Sequence, residues 1–276
     1  MSLAWILSAT FLGGALSAAL ASVFLLLSET RRNRLLPHLI SFATGAMLAA
    51  ALIGLLPEAI ASVGPGHIQA VGAAVLAGIG LFFVLEKLVL WRHCHTGVSE
   101  HGGAGEHAGV SEHAGAGETH ALQQSERDRA AGWIVLFGDG VHNAFDGVLI
   151  AAAFLTDTRL GVVTTIAITA HEIPQELGDL AVLLHARMSP VRALWFNAAS
   201  SLTSILGGVA GFLALRRTLQ VLPYAISVAA ASLIYVAVAD LIPGLHRRVD
   251  RGAALAQVLL IGCGAGVIAA AERWLA

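Results

Sequence analysis

Long apolar runs, each closed by a short polar or charged stretch, recur along the whole chain. They fall near 4–27, 37–57, 68–91, 131–155, 160–185, 192–215, 222–243 and 252–272. Each is about 20 residues or longer, the length at which a helix crosses a hydrocarbon core. A spanning segment has to satisfy its backbone groups internally, so the pattern predicts helices rather than open strands. The expected fold is an all-α integral membrane bundle of eight transmembrane helices. Most connections are short, so consecutive helices should pack as antiparallel neighbours.

The first run reads as a retained span. Ala19-Leu20-Ala21 resembles a cleavage site, but no positively charged segment precedes the run, which continues through Leu27. Lys and Arg positions then orient the bundle. Arg31, Arg32, Arg34, Lys87, Arg92, Arg127, Arg129, Arg187, Arg192, Arg247, Arg248 and Arg251 fall on one side, against Arg159, Arg216, Arg217 and Arg273 on the other. The richer side is expected to be cytoplasmic, which puts both termini outside and implies a multi-pass protein of the inner (plasma) membrane.

The polar residues that interrupt this pattern carry the chemistry. His142-Asn143-Ala144-Phe145-Asp146-Gly147 and His171-Glu172-Ile173-Pro174-Gln175-Glu176 lie inside the fourth and fifth runs. A carboxylate at mid-membrane costs about 2.5–3.5 kcal/mol on insertion scales, so these groups must face an interior where something compensates them. Residues i and i+4 share a helix face. His142 and Asp146 therefore line one face with Asn143 adjoining, while His171 and Gln175 line another with Glu172 adjoining. Two such helices side by side offer nitrogen and oxygen donors suited to zinc, iron(II), manganese or cobalt. Interhelical hydrogen bonding is the simpler reading of a polar cluster. Two matched clusters, each with a histidine, a carboxylate and an amide, favour metal. Pro174 removes an amide donor and crowds the carbonyl of Ala170, so the helix is expected to open beside His171. Asp139, three residues before His142, is placed to orient that imidazole, and Glu176 with Asp179 to line an exit path.

Two other readings of the same residues stand beside this one. His171-Glu172-Ile173-Pro174-Gln175 is near the H-E-x-x-H pattern of zinc peptidases, with Glu172 in the place of a general base, but Gln175 occupies the second histidine position. A non-transporting metal sensor would use the histidines at 92–130 as its output. That connection holds His93-Cys94-His95 and a near-repeat through His101, His107, His113 and His120 among Gly, Ala, Ser and Glu. Its composition predicts a disordered tether or a weak metal-collecting arm. The chain thus divides into residues 1–91 (helices one to three), the 92–130 loop, and 131–276 (helices four to eight with the metal site).

Composition narrows the class. The 276 residues are 57% hydrophobic and 12% charged, about half the charged content of a soluble protein. Net charge is −2 with no basic patch, which excludes nucleic acid as a partner. Cys94 and Cys263 are too far apart in the pattern to suggest a disulfide framework.

At these residues the chain resembles the ZIP family of divalent-metal transporters, in particular a bacterial relative of its histidine-rich subfamily. The likeness extends over all eight runs. It is most specific in H-N-x-x-D-G of the fourth and H-E-x-P-x-E-x-G-D of the fifth, ending at Gly178-Asp179. It recurs in Phe82-Phe83-x-x-Glu86-Lys87, Leu55-Leu56-Pro57-Glu58 and Asp240-Leu241-Ile242-Pro243. The resemblance implies a transporter, not an enzyme, moving divalent metal into the cytoplasm by alternating access, with spans one, four, five and six moving against two, three, seven and eight. It implies His142, Asn143, Asp146, His171, Glu172 and Gln175 as metal ligands, with Asp146 and Gln175 bridging where two ions bind. The transported ion is zinc in the first place, with iron, manganese, cobalt or cadmium also fitting. No further cofactor is implied. The bilayer is the other partner, and a homodimer is compatible with the class. The sequence departs from the family where Gln175 replaces the subfamily's histidine, which should weaken a second ion, and where Ala50 and Gly54 replace polar residues of the second span. Met47, Asn197, Ser200 and Ser201 are read as packing residues or weak donors.

Overall fold

The computed structural model describes residues 3–95, 116–246 and 251–275. All regular structure among them is helical, and it forms eight rods. These are α1 (Leu3–Leu25), α2 (Glu29–Ala49, continued by Ala50–Leu55 and Leu56–Val63), α3 (Ile68–His95), α4 (Ala116–Thr156), α5 (Thr158–His185), α6 (Pro190–Ser201 and Thr203–Leu215), α7 (Leu222–Tyr235, continued by Val236–Leu241 and Ile242–Leu245) and α8 (Arg251–Trp274). Among the described residues, seven stretches are long and apolar enough to cross a membrane; they lie in every rod except α5. That rod is 28 residues long but carries Arg159, Glu172, Glu176 and Asp179. It is sheltered instead by α1, α2, α4, α6 and α8, all of which pack against it.

The bundle reverses the polarity of a soluble protein. Trp5, Leu12, Leu76, Phe137, Trp195, Leu206, Val258 and Leu259 stand exposed, while Asp139, Asn143, Asp146, His171, Glu172, Glu176 and Asn197 are buried. Contiguous exposed apolar surface of this extent suits lipid, not water.

Interruptions of the helices have local causes. In α2 and α7 the backbone widens into a π turn at Ala50–Leu55 and Val236–Leu241, shortly before Pro57 and Pro243. Each proline lacks an N–H and crowds the carbonyl four residues back, and one wider turn relieves both. The break in α6 at Leu202 falls among hydroxyls that compete for helix carbonyls: Ser200 and Ser201 both donate to Asn197 O, and Thr203 to Ser200 O. Three expectations are corrected here. Pro174 does not open α5, which runs through it; neighbouring helices keep a proline-bearing membrane helix intact. Likewise α2 begins before Pro37 rather than at it. Finally, α4 reaches back to Ala116 instead of starting near 131, because Ala121-Leu122-Gln123-Gln124 and the Glu and Arg after them favour helix. At its other end the expected disordered arm loses residues 92–95 to α3, and its remainder, with His101, His107 and His113, lies outside the described residues.

Helices α4 and α6 touch backbone to backbone. A Cβ at Gly147 would strike the Ser204 carbonyl, and one at Gly207 the Ala144 carbonyl. Small residues allow this approach, where dispersion replaces the hydrophobic drive that water would supply. The same contact is tied by the Thr203 hydroxyl, which donates to Gly140 O at 2.6 Å, and Ser204 reaches Thr10 O of α1 at 3.3 Å. Enlarging Gly207 to leucine should force the pair apart and lower the melting temperature of the purified protein strongly, at a cost above the roughly 1–3 kcal/mol of ordinary overpacking. Gly266→Ala, which meets open space, should leave it unchanged; equal melting curves for the two variants would refute the close-contact account.

Candidate metal centre

Helices α4 and α5 lie side by side and turn their polar clusters toward each other. One turn of α4 sets His142 above Asp146, and consecutive residues of α5 supply His171 and Glu172. One donor atom from each of the four lies within 4.8 Å of all the others. His142 Nε2 is 3.2 Å from His171 Nε2, 3.6 Å from Asp146 Oδ2 and 3.7 Å from Glu172 Oε1. His171 Nε2 is 3.4 Å from Asp146 Oδ2 and 3.3 Å from Glu172 Oε1. A tetrahedral zinc ion with bonds of about 2.0–2.1 Å separates its ligands by roughly 3.3 Å. Five of the six donor separations are therefore close to the edges of a tetrahedron around such an ion.

Burial sharpens the point. Asp146, His171 and Glu172 are at most 2% exposed. Asp146 Oδ2 and both carboxylate oxygens of Glu172 find no hydrogen-bond donor. Unpaired buried charge is among the most destabilising arrangements available to a protein, and a cation held at their common focus removes it.

The two amides expected in the ligand set are placed differently. Asn143 Nδ2 donates to Asp139 O at 3.1 Å and to Asp139 Oδ1 at 2.9 Å, and Gln175 Nε2 donates to the same Oδ1 at 3.1 Å. Asp139 thus holds Asn143 and Gln175 instead of serving as the partner expected for His142. The structure brings four of the six expected ligands to one focus and gathers the other two at Asp139, one helical turn away.

Glu176 does not line an exit path. It is fully buried and accepts from Asn197 Nδ2 and Ser201 Oγ, which pins α5 to α6. That fixes the roles of Asn197 and Ser201, both turned to Glu176. Met47 packs in the apolar core with Ala50, Leu55, Phe154, Leu160 and Val163, which fills the bundle on the Thr156 side of the centre. On the other side a cavity of about 360 Å³ opens, bordered by His142, Asp139, Gln175, Asp179, Tyr235 and Asp240. Access to the centre therefore runs from the side where α5 ends.

At the opposite end, Arg159 of α5 reaches Glu272 of α8 at 3.2 Å, Asp157 at 3.5 Å and Glu58 of α2 at 3.9 Å. The sequence pattern did not reveal this cluster. A lone carboxylate, Glu272, in an otherwise apolar last run was the available signal.

The family model described as the ZIP zinc transporter matches residues 2–272. Zinc transporter ZIP4 of Mus musculus is 30% identical over 261 residues, covering 79% of this chain and 39% of its own length. Zinc transporter ZIP10 of Danio rerio is 39% identical over 127 residues, 44% of this chain and 15% of its own length. Zinc transporter foi of Drosophila melanogaster is 35% identical over 142 residues, 50% and 20% respectively. The chain therefore spans well under half the length of these relatives.

If the four donors are a metal centre, removing a charge and supplying metal should be interchangeable. Glu172→Gln should melt higher than the wild type in chelator. Zinc should stabilise the wild type by about 2.7 kcal/mol at a hundredfold excess over its dissociation constant and the variant far less. A zinc-induced shift of equal size in both, read by thermal unfolding in detergent, would exclude Glu172 from the centre.

Proposed function

The chain belongs to the ZIP zinc transporter family, and on that premise we propose that it carries divalent transition metal, zinc first, across a membrane into the cytoplasm. The observation that carries this reading is the convergence of His142, Asp146, His171 and Glu172 with three buried carboxylate oxygens left unpaired. An ion arriving there replaces its hydration shell with two imidazoles and two carboxylates. The same donor set accepts iron(II), manganese, cobalt and cadmium, so discrimination among them rests on geometry and availability. Asn143 and Gln175 complete the ligand set when their amide oxygens turn to the ion. An amide is a poorer zinc ligand than imidazole, so one ion dominates.

Transport requires that the centre face each side in turn. Met47, Phe154 and Leu160 seal one side, and the cavity beside His142 and Asp179 serves the other; with the Arg and Lys distribution this is the cytoplasmic side of an inner-membrane protein with eight spans and external termini. The moving body in this proposal is α1, α4, α5 and α6. Support comes from the bonds that knit them, Thr203 to Gly140, Ser204 to Thr10, and Asn197 and Ser201 to Glu176. Arg159 joins that body to α2 and α8 on the sealed side, where its contacts to Glu58 and Glu272 must break for the other face to open. A homodimer would carry one complete centre per protomer, since every ligand comes from one chain. The peptidase reading loses its footing, because the family is one of transporters and Glu172 is a centre residue alongside both histidines. The connection between α3 and α4 is a tether in this reading.

Zinc-65 uptake into proteoliposomes tests it. His142→Ala and His171→Ala should each cut uptake by at least about a hundredfold, since even outer-shell changes at metal sites cost 10–100-fold. Deleting residues 99–115 should leave most of it. Unimpaired flux in both histidine variants would reject the centre as the transport site, and loss of flux on loop deletion in a normally inserted protein would reject the tether. Gln175→His should raise metal occupancy by elemental analysis, and unchanged occupancy would place residue 175 away from the ion.

A further inference from the structure

Helices α4 and α6, pressed together at their glycines, leave a groove on their outer side. Its volume is about 810 Å³, and it runs from Trp133 and Phe196 to Val148 and Ala210. Between Trp133 and Val148 the α4 helix rises about 22 Å, more than the roughly 15 Å of hydrocarbon in one leaflet. The hydroxyls of Ser200 and Thr203, which border the groove, are engaged with the carbonyls of Asn197 and Gly140. What remains is an apolar trough. At the end where Trp133 and Phe196 pack edge to face, with ring centroids 5.0 Å apart, it meets a second cavity of about 560 Å³. Arg187, Ser189 and Arg192 border that cavity, and among the described residues no carboxylate does. Both arginines are exposed. Arg187 ends α5 at a φ of 59°, a conformation that glycine adopts without strain. The turn itself gains nothing from a guanidinium.

We infer that this face holds an anionic lipid, with an acyl chain in the α4–α6 groove and its phosphate between Arg187 and Arg192. Charge complementarity selects the headgroup. Guanidinium forks match phosphate oxygens, whereas the ammonium of a zwitterionic lipid finds no carboxylate there. The α6 helix begins at Pro190, and the Ser189 side chain makes no capping bond, so the positive end of that helix adds to the same cavity. Trp133 stands at the junction of the two cavities, as indole rings do where hydrocarbon meets headgroups. A free phosphate would leave the groove unused. A second copy of the chain, turned about an axis along the membrane normal, would bring its own arginines to the same level. The lipid lies behind the metal centre, since Ala144 and Val148 border the groove while His142 and Asp146 point about 200° away round α4. The inference needs only the bilayer and asks nothing of the proposed transport.

Native mass spectrometry of the full chain in detergent tests this, with phosphatidylglycerol and phosphatidylcholine of identical acyl chains as probes. The wild type should retain phosphatidylglycerol at least about tenfold more tightly, as two arginines near an anionic headgroup would provide. Arg187→Gly combined with Arg192→Gln should make the two lipids bind alike. The same double variant should melt no lower than the wild type in lipid-free detergent, because glycine suits the turn at 187. Ala199→Phe puts a ring into the groove from an exposed position and should weaken both lipids. Soluble glycerol 3-phosphate should not displace phosphatidylglycerol at equal concentration. Equal retention of the two lipids by the wild type overturns the inference, as does an unchanged preference in the double variant. Displacement by glycerol 3-phosphate would leave a phosphate site without the groove, and lipid loss on dimerisation would give the groove to a second copy; either overturns it. If the double variant fails to accumulate, the wild-type preference and Ala199→Phe decide.

Discussion

Charge buried without a partner is the constraint on which this molecule turns. Asp146 and Glu172 sit inside a bundle that faces lipid, and three of their oxygens have no donor. Hydrogen bonds could have satisfied them, as Asn197 and Ser201 satisfy Glu176 one turn further along α5. The contrast between Glu172 and Glu176, four residues apart on one helix, separates a carboxylate used to bind helices from one whose oxygens find no donor. Much else follows from sheltering α5. Among the described residues it is the one rod without a stretch long and apolar enough to span, and five others surround it.

Holding α5 in that position takes close packing without help from water. Glycine and hydroxyl residues supply it, because two helices approach closely only where side chains are absent and backbone carbonyls find local donors. Gly147, Gly207, Thr203 and Ser204 do this between α4 and α6. The charged end of α5 is managed otherwise, by Arg159 among three carboxylates from α2, the turn between α4 and α5, and α8.

Much of this was legible in the sequence because membrane helices announce themselves by length and apolarity. The heart of the centre was legible too, since i, i+4 spacing puts His142 and Asp146 on one face whatever the packing. What the sequence did not reveal depends on how helices meet. Asp139 lies three residues from His142, so spacing alone pairs them, yet the approach of α5 delivers Gln175 and makes Asp139 an acceptor for amides. Asn197 and Ser201 look like spare ligands until α6 is rotated against Glu176. Pro174 reads as a break because an isolated helix would break there, and α5 is never isolated. The helix before residue 131 was hidden by a histidine- and glycine-rich neighbour whose composition overshadowed the good helix formers after Ala116.

All four donors of the centre lie on two adjacent helices that share a third, α6, as a brace. In the proposed transport cycle their spacing would therefore belong to one piece and stay the same whichever face that piece presents. On the proposed function, an ion carried that way would keep these four donors on both sides of the membrane. The affinity difference between loading and release then has to arise outside the shell, from how much water reaches His142 and how much negative potential lies beyond it. On the proposed function, a carrier of this build would work as a ferry with a fixed berth, its direction set by the shores.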